Sequence, residues 1–258
     1  MLSYQHLYHA GNPADVHKHA ALASILDYLT RKDKPLTYIE THAGRGLYDL
    51  SAPEARRTGE AAAGILRLQD RFPPDHPYLR VLRHARAQNG PNAYPGSPLI
   101  AAMMLRPEDR LHLAELHPRE HAALTRAMAP FRVDLRREDG LRMAVALTPP
   151  EPRRGILLID PSFEIKTEYD TLPRLIARLH KRWNVGIIAL WYPILKSGLH
   201  KPMLAALESA GLPGTLRHEV GFPPVREGHG MIGSGLFIVN APFGTDHALA
   251  RIDQVFAS

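Results

Sequence analysis

The residues best suited to chemistry follow one short apolar run. Residues 155–159 read Gly-Ile-Leu-Leu-Ile, and Asp160, Pro161, Ser162 and Phe163 come directly after them. The run lies between polar and Pro/Arg-rich segments, which predicts a strand that is buried on both faces. In open α/β sheets, ligands bind at the carboxyl ends of the strands. Asp160 is therefore predicted to lie at a functional edge, beside a Pro161 carbonyl that the fixed φ of proline holds in one direction.

Two hydrogen-bond acceptors next to an aromatic side chain suit the exocyclic amine of a flat base. Asp160 and the Pro161 carbonyl can each accept one amine hydrogen, and Phe163 can stack on the ring. An Asp-Pro pair is also a common way to open a turn. A strand that simply ends in a turn therefore explains the same residues, and both interpretations stay open at this point.

Two other predicted strands end in residues that could bind a nucleoside. Residues 36–40 are followed by Gly44 and Gly46, and a Gly-x-Gly turn lets a ligand approach the backbone closely. Residues 111–115 end in Glu115, whose carboxylate can accept hydrogen bonds from both hydroxyls of a ribose. Ordinary turn glycines and a surface acid would account for these residues equally well.

A further short strand, at 132–135, precedes Asp139 and Gly140. Successive strands thus end in a glycine turn, an acid, a second acid and the Asp160-Pro161 pair. This layout resembles a Rossmann-like methyltransferase that uses S-adenosylmethionine. In such an enzyme the turn takes the methionine part, the first acid the ribose, the second acid the adenine and the fourth strand the substrate.

Composition sets limits on the class of protein. The 258 residues can build one large domain or two small ones, and no apolar run reaches the length of a membrane-spanning helix. The first residues lack the pattern of a signal peptide, and there are no cysteines. We therefore expect a cytoplasmic protein without disulfides, thiolate metal sites or membrane contact. A net charge of +6 favours a polyanionic partner such as nucleic acid.

Helical patterns surround the predicted strands. Asn12 and Pro13 predict the start of a helix that ends near residue 31, with Asn12 as its cap. Between residues 48 and 95 the composition shifts toward Ala, Arg, Pro and His, which predicts an inserted helical subdomain within a single domain that spans 1–258. Further helices are predicted at 60–69, 78–87, 99–105, 172–182 and 201–209, and further strands at 185–192, 215–220 and 235–239.

The histidines near the start of the first helix do not form a metal motif. His17 and His19 flank Lys18, and positions two apart on a helix do not share a face. The chain also lacks a His-Glu-x-x-His pattern. We therefore predict that the protein has no metal site.

Motifs along nearly the whole chain are similar to those of the RlmJ family, which methylates the N6 amine of an adenine in 23S (large-subunit) ribosomal RNA. The N-terminal run is highly specific to that family. The matching runs are Met1-Leu2-Ser3-Tyr4-x-His6, His9-Ala10-Gly11-Asn12-x-Ala14-Asp15-Val16-x-Lys18-His19, Thr41-His42-Ala43-Gly44-x-Gly46, Tyr94-Pro95-Gly96-Ser97-Pro98-Leu99-Ile100, Glu115-Leu116-His117-Pro118, Asp139-Gly140 and Leu190-Trp191-Tyr192-Pro193.

The resemblance implies a role for particular residues of this chain. It implies S-adenosylmethionine as cofactor and Asp160 as the catalytic residue, with Pro161 and Phe163 beside it at the base. It also implies that Tyr4, His6 and Lys18 act near the target adenine and that the inserted subdomain moves. The cofactor contacts that it implies are His19, His42, Gly44, Ser97, Glu115, Asp139 and Gly140.

Two features depart from the family pattern. The catalytic run of the family is Asp-Pro-Pro-Tyr, whereas this chain has Asp160-Pro161-Ser162-Phe163. Ser162 restores an amide hydrogen and a backbone freedom that a second proline would remove. The chain also ends soon after the strand predicted at 235–239, short of part of the family's C-terminal tail.

The resulting expectation is an S-adenosylmethionine-dependent ribosomal RNA (adenine-N6)-methyltransferase that acts as a monomer on protein-free 23S RNA. Two alternatives share the same residues. One is a nucleic-acid-binding protein that supports the use of imported DNA, a role also attached to this family. The other is a methyltransferase that acts on a DNA adenine or on the amine of a small molecule.

Overall fold

The computed structural model describes residues 5–224, 228 and 230–257. Tyr4, which the sequence placed near the target base, lies outside the described residues. The strands are β1 Thr37–Glu40, β2 Leu47–Asp49, β3 Ala93–Pro95, β4 Arg110–Ala114, β5 Asp134–Arg136, β6 Gly155–Ile159, β7 Ile187–Leu195, β8 Leu216–Gly221 and β9 Met231–Val239.

Eleven α-helices lie within the described ranges. They are α1 Pro13–Thr30, α2 Pro53–Thr58, α3 Glu60–Ala63, α4 Ile65–Leu68, α5 Pro77–Asn89, α6 Ser97–Met104, α7 Pro118–Met128, α8 Gly140–Leu147, α9 Glu168–Arg182, α10 His200–Ser209 and α11 Thr245–Phe256. Across those same ranges, no helix has both the length and the apolar character needed to cross a membrane.

Seven of the strands form one mixed sheet in the order β5-β4-β1-β6-β7-β9-β8. The first five of these run parallel, and β9 is antiparallel to both β7 and β8. The strands predicted at 215–220 and 235–239 correspond to β8 and β9. Because β1 and β6 are central, their carboxyl ends meet in the middle of one edge of the sheet, which brings Glu40 and Asp160 together.

Helices cover both faces of the sheet, and each face has its own apolar core. Side chains of α1, α5, α6 and α11 belong to one cluster, and those of α8, α9 and α10 belong to the other. All five residues of β6 are buried, as its unbroken apolar run predicted. Helix α1 begins as predicted, since the Asn12 side chain accepts from the Asp15 backbone N–H at 2.8 Å.

Some predicted elements need correction. The helix predicted at 60–69 is broken into α3 and α4 at Gly64, whose φ of −96° and ψ of −115° are not helical, and the backbone N–H of Ile65 donates to the Gly11 carbonyl at 2.8 Å. The sequence also gave no sign of α11, which follows the last strand and packs against α1 and β8. Helices α2 to α5 lie between β2 and β3. The boundaries of the inserted subdomain, 48–95, and its mobility stay predictions.

Gly140 allows the start of α8 to pack closely against the segment that follows β1. It is the first residue of α8, and a Cβ at this position would lie 1.8 Å from the carbonyl oxygen of Thr41, just after β1. The glycine therefore has a packing explanation that is independent of any cofactor contact.

We expect Gly140→Ala to lower the free energy of unfolding by about 1–3 kcal/mol. Alanine is favoured over glycine in helices by about 1 kcal/mol, but a forced backbone shift costs more than this gain. Urea unfolding measures the sum. Gly221→Ala is the matched control, since the nearest atom to its Cβ lies 4.0 Å away. Equal stability of the two variants would remove Gly140 from this packing role.

Candidate active site

A cavity of about 410 Å³ opens at the carboxyl edge of the sheet, within the size range of small-molecule sites. It is formed by the segments after β1, β4 and β6, by β7 and by the start of α1. Most of the residues predicted for the site line it: His6, Lys18, His42, Gly44, Glu115, Asp160, Pro161 and Phe163. The structure therefore brings together residues that lie more than 150 positions apart in the chain.

Asp160 is held by a buried lysine. The Lys18 Nζ lies 2.5 Å from Asp160 Oδ2 and 3.2 Å from Asp15 Oδ1. Burial alone would lower the pKa of Lys18, but Asp160 and Asp15 raise it above its usual value. The lysine is therefore charged and placed between two carboxylates. Because it is only 5% exposed, it supports Asp160 rather than offering a surface contact to phosphate.

Asp15 organises the segment that enters α1. Its Oδ2 accepts from the Gly11 backbone N–H at 2.9 Å and lies 2.7 Å from His6 Nε2. Burial would raise the pKa of Asp15, but His6, Lys18 and His19 together hold it well below its usual value. An ionised Asp15 thus fixes both His6 and Lys18 at the cavity. The sequence had assigned it only to the first turn of a helix.

The aromatic side of the cavity is built by Phe163, Tyr169 and Trp191. The ring centroids of Phe163 and Tyr169 are 4.6 Å apart, and those of Phe163 and Trp191 are 6.2 Å apart. Phe163 has a φ of +54°, a conformation that costs a non-glycine residue about 1–3 kcal/mol. Trp191 also faces the Lys18 ammonium, 5.4 Å from the ring centroid.

Glu115 and Gly44 form the opposite side of the cavity. Glu115 accepts from the backbone N–H groups of Gly44 and His117, each at 2.8 Å. Burial raises the pKa of Glu115, although these two hydrogen bonds act in the other direction. Each carboxylate oxygen keeps a free lone pair after these contacts, so the group can still accept from a ligand hydroxyl.

Four predicted cofactor contacts lie away from the main cavity. His19 and Ser97 line a smaller cavity that adjoins it. His19 Nδ1 lies 2.8 Å from the Tyr94 hydroxyl, and burial lowers the pKa of His19 to about 3. Asp139 is exposed and caps α8, accepting from the Leu141 N–H at 2.8 Å. Gly140 stands beside it, and neither residue lines the main cavity.

Glu40 is a functional candidate that sequence reasoning missed. It is the last residue of β1, fully buried, and it accepts from the hydroxyls of Ser97 at 2.5 Å and Tyr38 at 2.9 Å. Burial raises the pKa of Glu40 to about 8, and nearby Asp160 adds to the effect. An acid at the end of a buried strand, two residues before His42, was the available signal.

The two histidines beside Lys18 point to different partners. His17 Nδ1 lies 2.8 Å from Ser234 Oγ, whereas His19 contacts Tyr94. Over the described part of the chain, no group of three or more His, Asp or Glu side chains is arranged to hold a metal ion.

The raised pKa of Glu40 predicts a specific dependence of stability on pH. In the unfolded chain Glu40 ionises near its usual pKa of 4.5, whereas the folded protein keeps the proton up to about pH 8. The stability that this group contributes is therefore complete below pH 4.5 and is lost as the pH rises toward 8, by up to about 1.4 kcal/mol per pH unit.

Glu40→Gln keeps a neutral side chain and removes this loss. We expect wild type to lose roughly 2–4 kcal/mol relative to Glu40→Gln between pH 5 and pH 8, measured by urea unfolding. Asp109→Asn is the control, because the pKa of this buried carboxyl lies below 3.8 and it does not titrate in that window. A parallel pH profile for wild type and Glu40→Gln would show that Glu40 is ionised in the fold.

Comparison with known proteins supports the assignment of the fold and family. A family model described as "Ribosomal RNA large subunit methyltransferase D, RlmJ" matches residues 33–258. The chain is 40% identical over 256 residues to "Ribosomal RNA large subunit methyltransferase J" of Escherichia coli strain K12, covering 98% of this chain and 91% of that protein. It is 37% identical over 257 residues to the protein of the same name from Haemophilus influenzae, covering 98% and 92%.

A solved structure agrees with this result. The crystal structure of protein LPL1258 from Legionella pneumophila superposes with a TM-score of 0.84 at 35% identity, covering 96% of this chain and 94% of that chain. The predicted Rossmann-like class I methyltransferase sheet, with helices on both faces, is confirmed. The family suggested by the motifs is confirmed as well: the chain belongs to the RlmJ family of ribosomal RNA large-subunit methyltransferases.

Proposed function

We propose that this protein transfers a methyl group from S-adenosylmethionine to the N6 amine of one adenine in 23S ribosomal RNA. It acts in the cytoplasm, as a monomer, on RNA that ribosomal proteins do not yet cover. The observation that carries the proposal is the position of Asp160 and Pro161. They follow the central strand β6 and line the same cavity as Glu115 and Gly44. The matching family and relatives support large-subunit ribosomal RNA as the substrate.

The residues on the β1 and β4 side fit S-adenosylmethionine. Gly44 has a φ of +61°, and a Cβ there would lie 2.6 Å from the Tyr48 hydroxyl, so both the backbone conformation and the packing against Tyr48 require glycine at this turn. Glu115 keeps lone pairs for the two ribose hydroxyls. When bound, the cofactor supplies an electrophilic methyl group on a sulfonium.

Asp160 and Pro161 would bind the nucleophile on the other side. The N6 lone pair of adenine is delocalised into the ring, so the amine is a poor nucleophile. Acceptors at the Asp160 carboxylate and the Pro161 carbonyl hold both amine hydrogens and turn the lone pair out of the ring plane. Lys18, 2.5 Å from Asp160, fixes this carboxylate in place. This is catalysis by positioning and electrostatics, without a covalent enzyme intermediate.

The proton leaves N6 late in this scheme. A neutral aromatic amine is far too weak an acid for a carboxylate to ionise before methyl transfer. Once N6 carries the new methyl and a positive charge, the proton passes readily to Asp160 or to water. The aromatic side of the cavity, Phe163 and Trp191, replaces the stacking that the adenine loses when it leaves its RNA neighbours.

Methyl mapping is the direct test of the proposed function. The full chain is incubated with labelled S-adenosylmethionine and protein-free ribosomal RNA, and labelled nucleosides are then identified and located. We expect one N6-methyladenosine in 23S RNA. Binding of RNA without any methyl transfer would support the nucleic-acid-binding alternative, and label on a DNA adenine would support the DNA methyltransferase alternative.

For the cofactor, we expect Glu115→Ala to weaken binding of S-adenosylmethionine by roughly 1–3 kcal/mol, because the ribose hydroxyls lose a charged acceptor. Isothermal titration calorimetry of the RNA-free protein measures this. Glu108→Ala is a matched control, since this exposed acid lies just before β4 rather than just after it. An unchanged affinity in Glu115→Ala would remove Glu115 from the cofactor site.

For catalysis, we expect Asp160→Ala to reduce turnover by roughly 10²–10³, the scale of losing one preorganised polar partner, with little change in cofactor affinity. Asp160→Asn separates two roles. Its amide oxygen still accepts, so appreciable activity indicates positioning, and loss of activity indicates a need for charge. The exposed Asp170→Asn is the control. Wild-type turnover of Asp160→Ala at saturating cofactor and RNA would show that β6 simply ends in a turn.

A further inference from the structure

A chain of polar side chains leads from the cavity to the far side of α1. Trp191 Nε1 donates to Ser234 Oγ at 2.9 Å, and Ser234 Oγ lies 2.8 Å from His17 Nδ1. His17 Nε2 lies 2.9 Å from His218 Nδ1. Beyond it, Asp253 Oδ1 lies 2.9 Å from His218 Nε2. The five residues connect β7, β9, α1, β8 and α11, and only Trp191 lines the cavity.

The middle residues of this chain of polar side chains are fully buried. Ser234 and His17 are both 0% exposed, whereas the Asp253 side chain is 55% exposed. Burial, with a smaller contribution from His218, lowers the pKa of His17 well below its usual value, so the ring is neutral. Buried polar groups of this kind are costly unless each one is hydrogen-bonded.

Trp191 and Asp253, at the two ends of this chain of polar side chains, determine which atom donates and which accepts in each contact. An indole nitrogen only donates and a carboxylate only accepts. Asp253 therefore favours the His218 proton on Nε2, which leaves Nδ1 to accept from His17 Nε2–H. His17 Nδ1 then accepts from the Ser234 hydroxyl, whose oxygen accepts from Trp191. One arrangement of protons thus satisfies Ser234 Oγ, both ring nitrogens of His17 and His218 Nδ1. The contact of His218 Nε2 with Asp253 has the distance of an ion pair but not the geometry of a hydrogen bond.

Trp191 is the residue through which this chain of polar side chains contacts the proposed catalytic groups. Its ring lies against the Lys18 ammonium and near the Phe163 ring. Lys18 in turn holds Asp160. A cation–π contact depends on the cation lying over the ring face. The orientation of the indole therefore affects the position of the Lys18 ammonium between Asp15 and Asp160.

We propose that Ser234, His17 and His218 are positioning residues for the methyl transfer, because together they fix the indole of Trp191 against Lys18 and Phe163. This inference rests on the proposed function, which supplies the reaction that it modulates. The three residues touch neither substrate nor cofactor. They act only through the orientation of Trp191.

The indole N–H signals in a ¹⁵N-labelled sample give a direct readout. The chain has two tryptophans, so two signals are expected, and Trp191→Phe identifies one of them. Trp183 donates to the Arg153 carbonyl at 2.6 Å and serves as an internal reference. We expect Ser234→Ala to shift the Trp191 signal and to speed its exchange with water, while the Trp183 signal stays in place.

Turnover on protein-free ribosomal RNA gives the functional readout. We expect Ser234→Ala to lower kcat about tenfold, the order expected when a hydrogen bond no longer holds a group in place, while KM for RNA and the affinity for S-adenosylmethionine stay within about twofold. A loss of folded protein would instead lower the active fraction and leave the kcat of the remaining molecules unchanged.

His218 offers the sharpest comparison, because three contacts separate it from Trp191. His218→Leu removes the acceptor for His17 and should shift the Trp191 signal and lower kcat. His218→Asn places an amide oxygen near the position of Nδ1 and should restore both. His112→Leu is the matched control: it removes another partly buried histidine that lies 2.9 Å from an aspartate, without a link to Trp191, and should leave both readouts unchanged.

The outcomes separate this inference from the proposed function. If wild type methylates no adenine, the proposed function fails whatever the spectra show. If wild type methylates RNA but Ser234→Ala keeps both its kcat and the Trp191 signal, the positioning role is wrong. Failure of His218→Asn to recover what His218→Leu loses would likewise refute the inference, because bulk rather than hydrogen bonding would then explain the loss.

Discussion

The structure of the site depends on one buried ion pair, between Lys18 at the start of α1 and Asp160 at the end of β6. Removing two charges from water costs several kcal/mol per ion, and mutual attraction repays this only when geometry and additional hydrogen bonds are favourable. Such a pair is therefore weak evidence for stability. A shift of α1 along the sheet would separate the two charges, so the pair favours the observed placement of the helix.

The groups around Lys18 stabilise its buried ammonium in this ion pair. Asp15 gives the ammonium a second carboxylate at 3.2 Å, and the Gly11 amide in turn binds Asp15. Trp191 covers the ammonium with its ring face. The early turns of α1 must then lie at the functional edge of the sheet, which explains why a helix outside the parallel β/α alternation contributes to the site.

The sequence was sufficient for those parts of the site that depend on single strands. A buried apolar run followed by Asp160, and a strand end followed by Glu115, are local patterns, and the edge of a parallel sheet brings such residues together. The placement of these residues at the carboxyl ends of β1, β4 and β6 was predicted on this basis. The family motifs then added His6 and Lys18, whose position no periodicity would have indicated.

The features of the site that the sequence could not predict depend on contacts between side chains that lie far apart in the sequence. Trp191, Ser234, His17 and His218 come from four elements, and a shift of any one by a residue would separate them. Local patterns also failed where another segment is involved: the predicted helix breaks at Gly64, and the next backbone N–H, of Ile65, donates to the Gly11 carbonyl. Asp139 shows that one local pattern can have two explanations. The acid-glycine pair that suggests an adenine contact also suits the start of α8.

The charges around Lys18 explain why one carboxyl of the site should be neutral. Asp15, Asp160 and Glu40 all act on this ammonium. If all three were ionised, three negative charges would face one positive charge in a poorly hydrated site, and the repulsion between them would be large. Protonation of Glu40, which burial favours although Ser97 and Tyr38 donate to its oxygens, leaves two carboxylates and one ammonium. These four groups then carry one net negative charge, which would suit the cationic methyl donor of the proposed function and, after transfer, the positive charge that passes to the amine. Asp160 can balance that charge without moving, because Asp15 remains as a partner for Lys18.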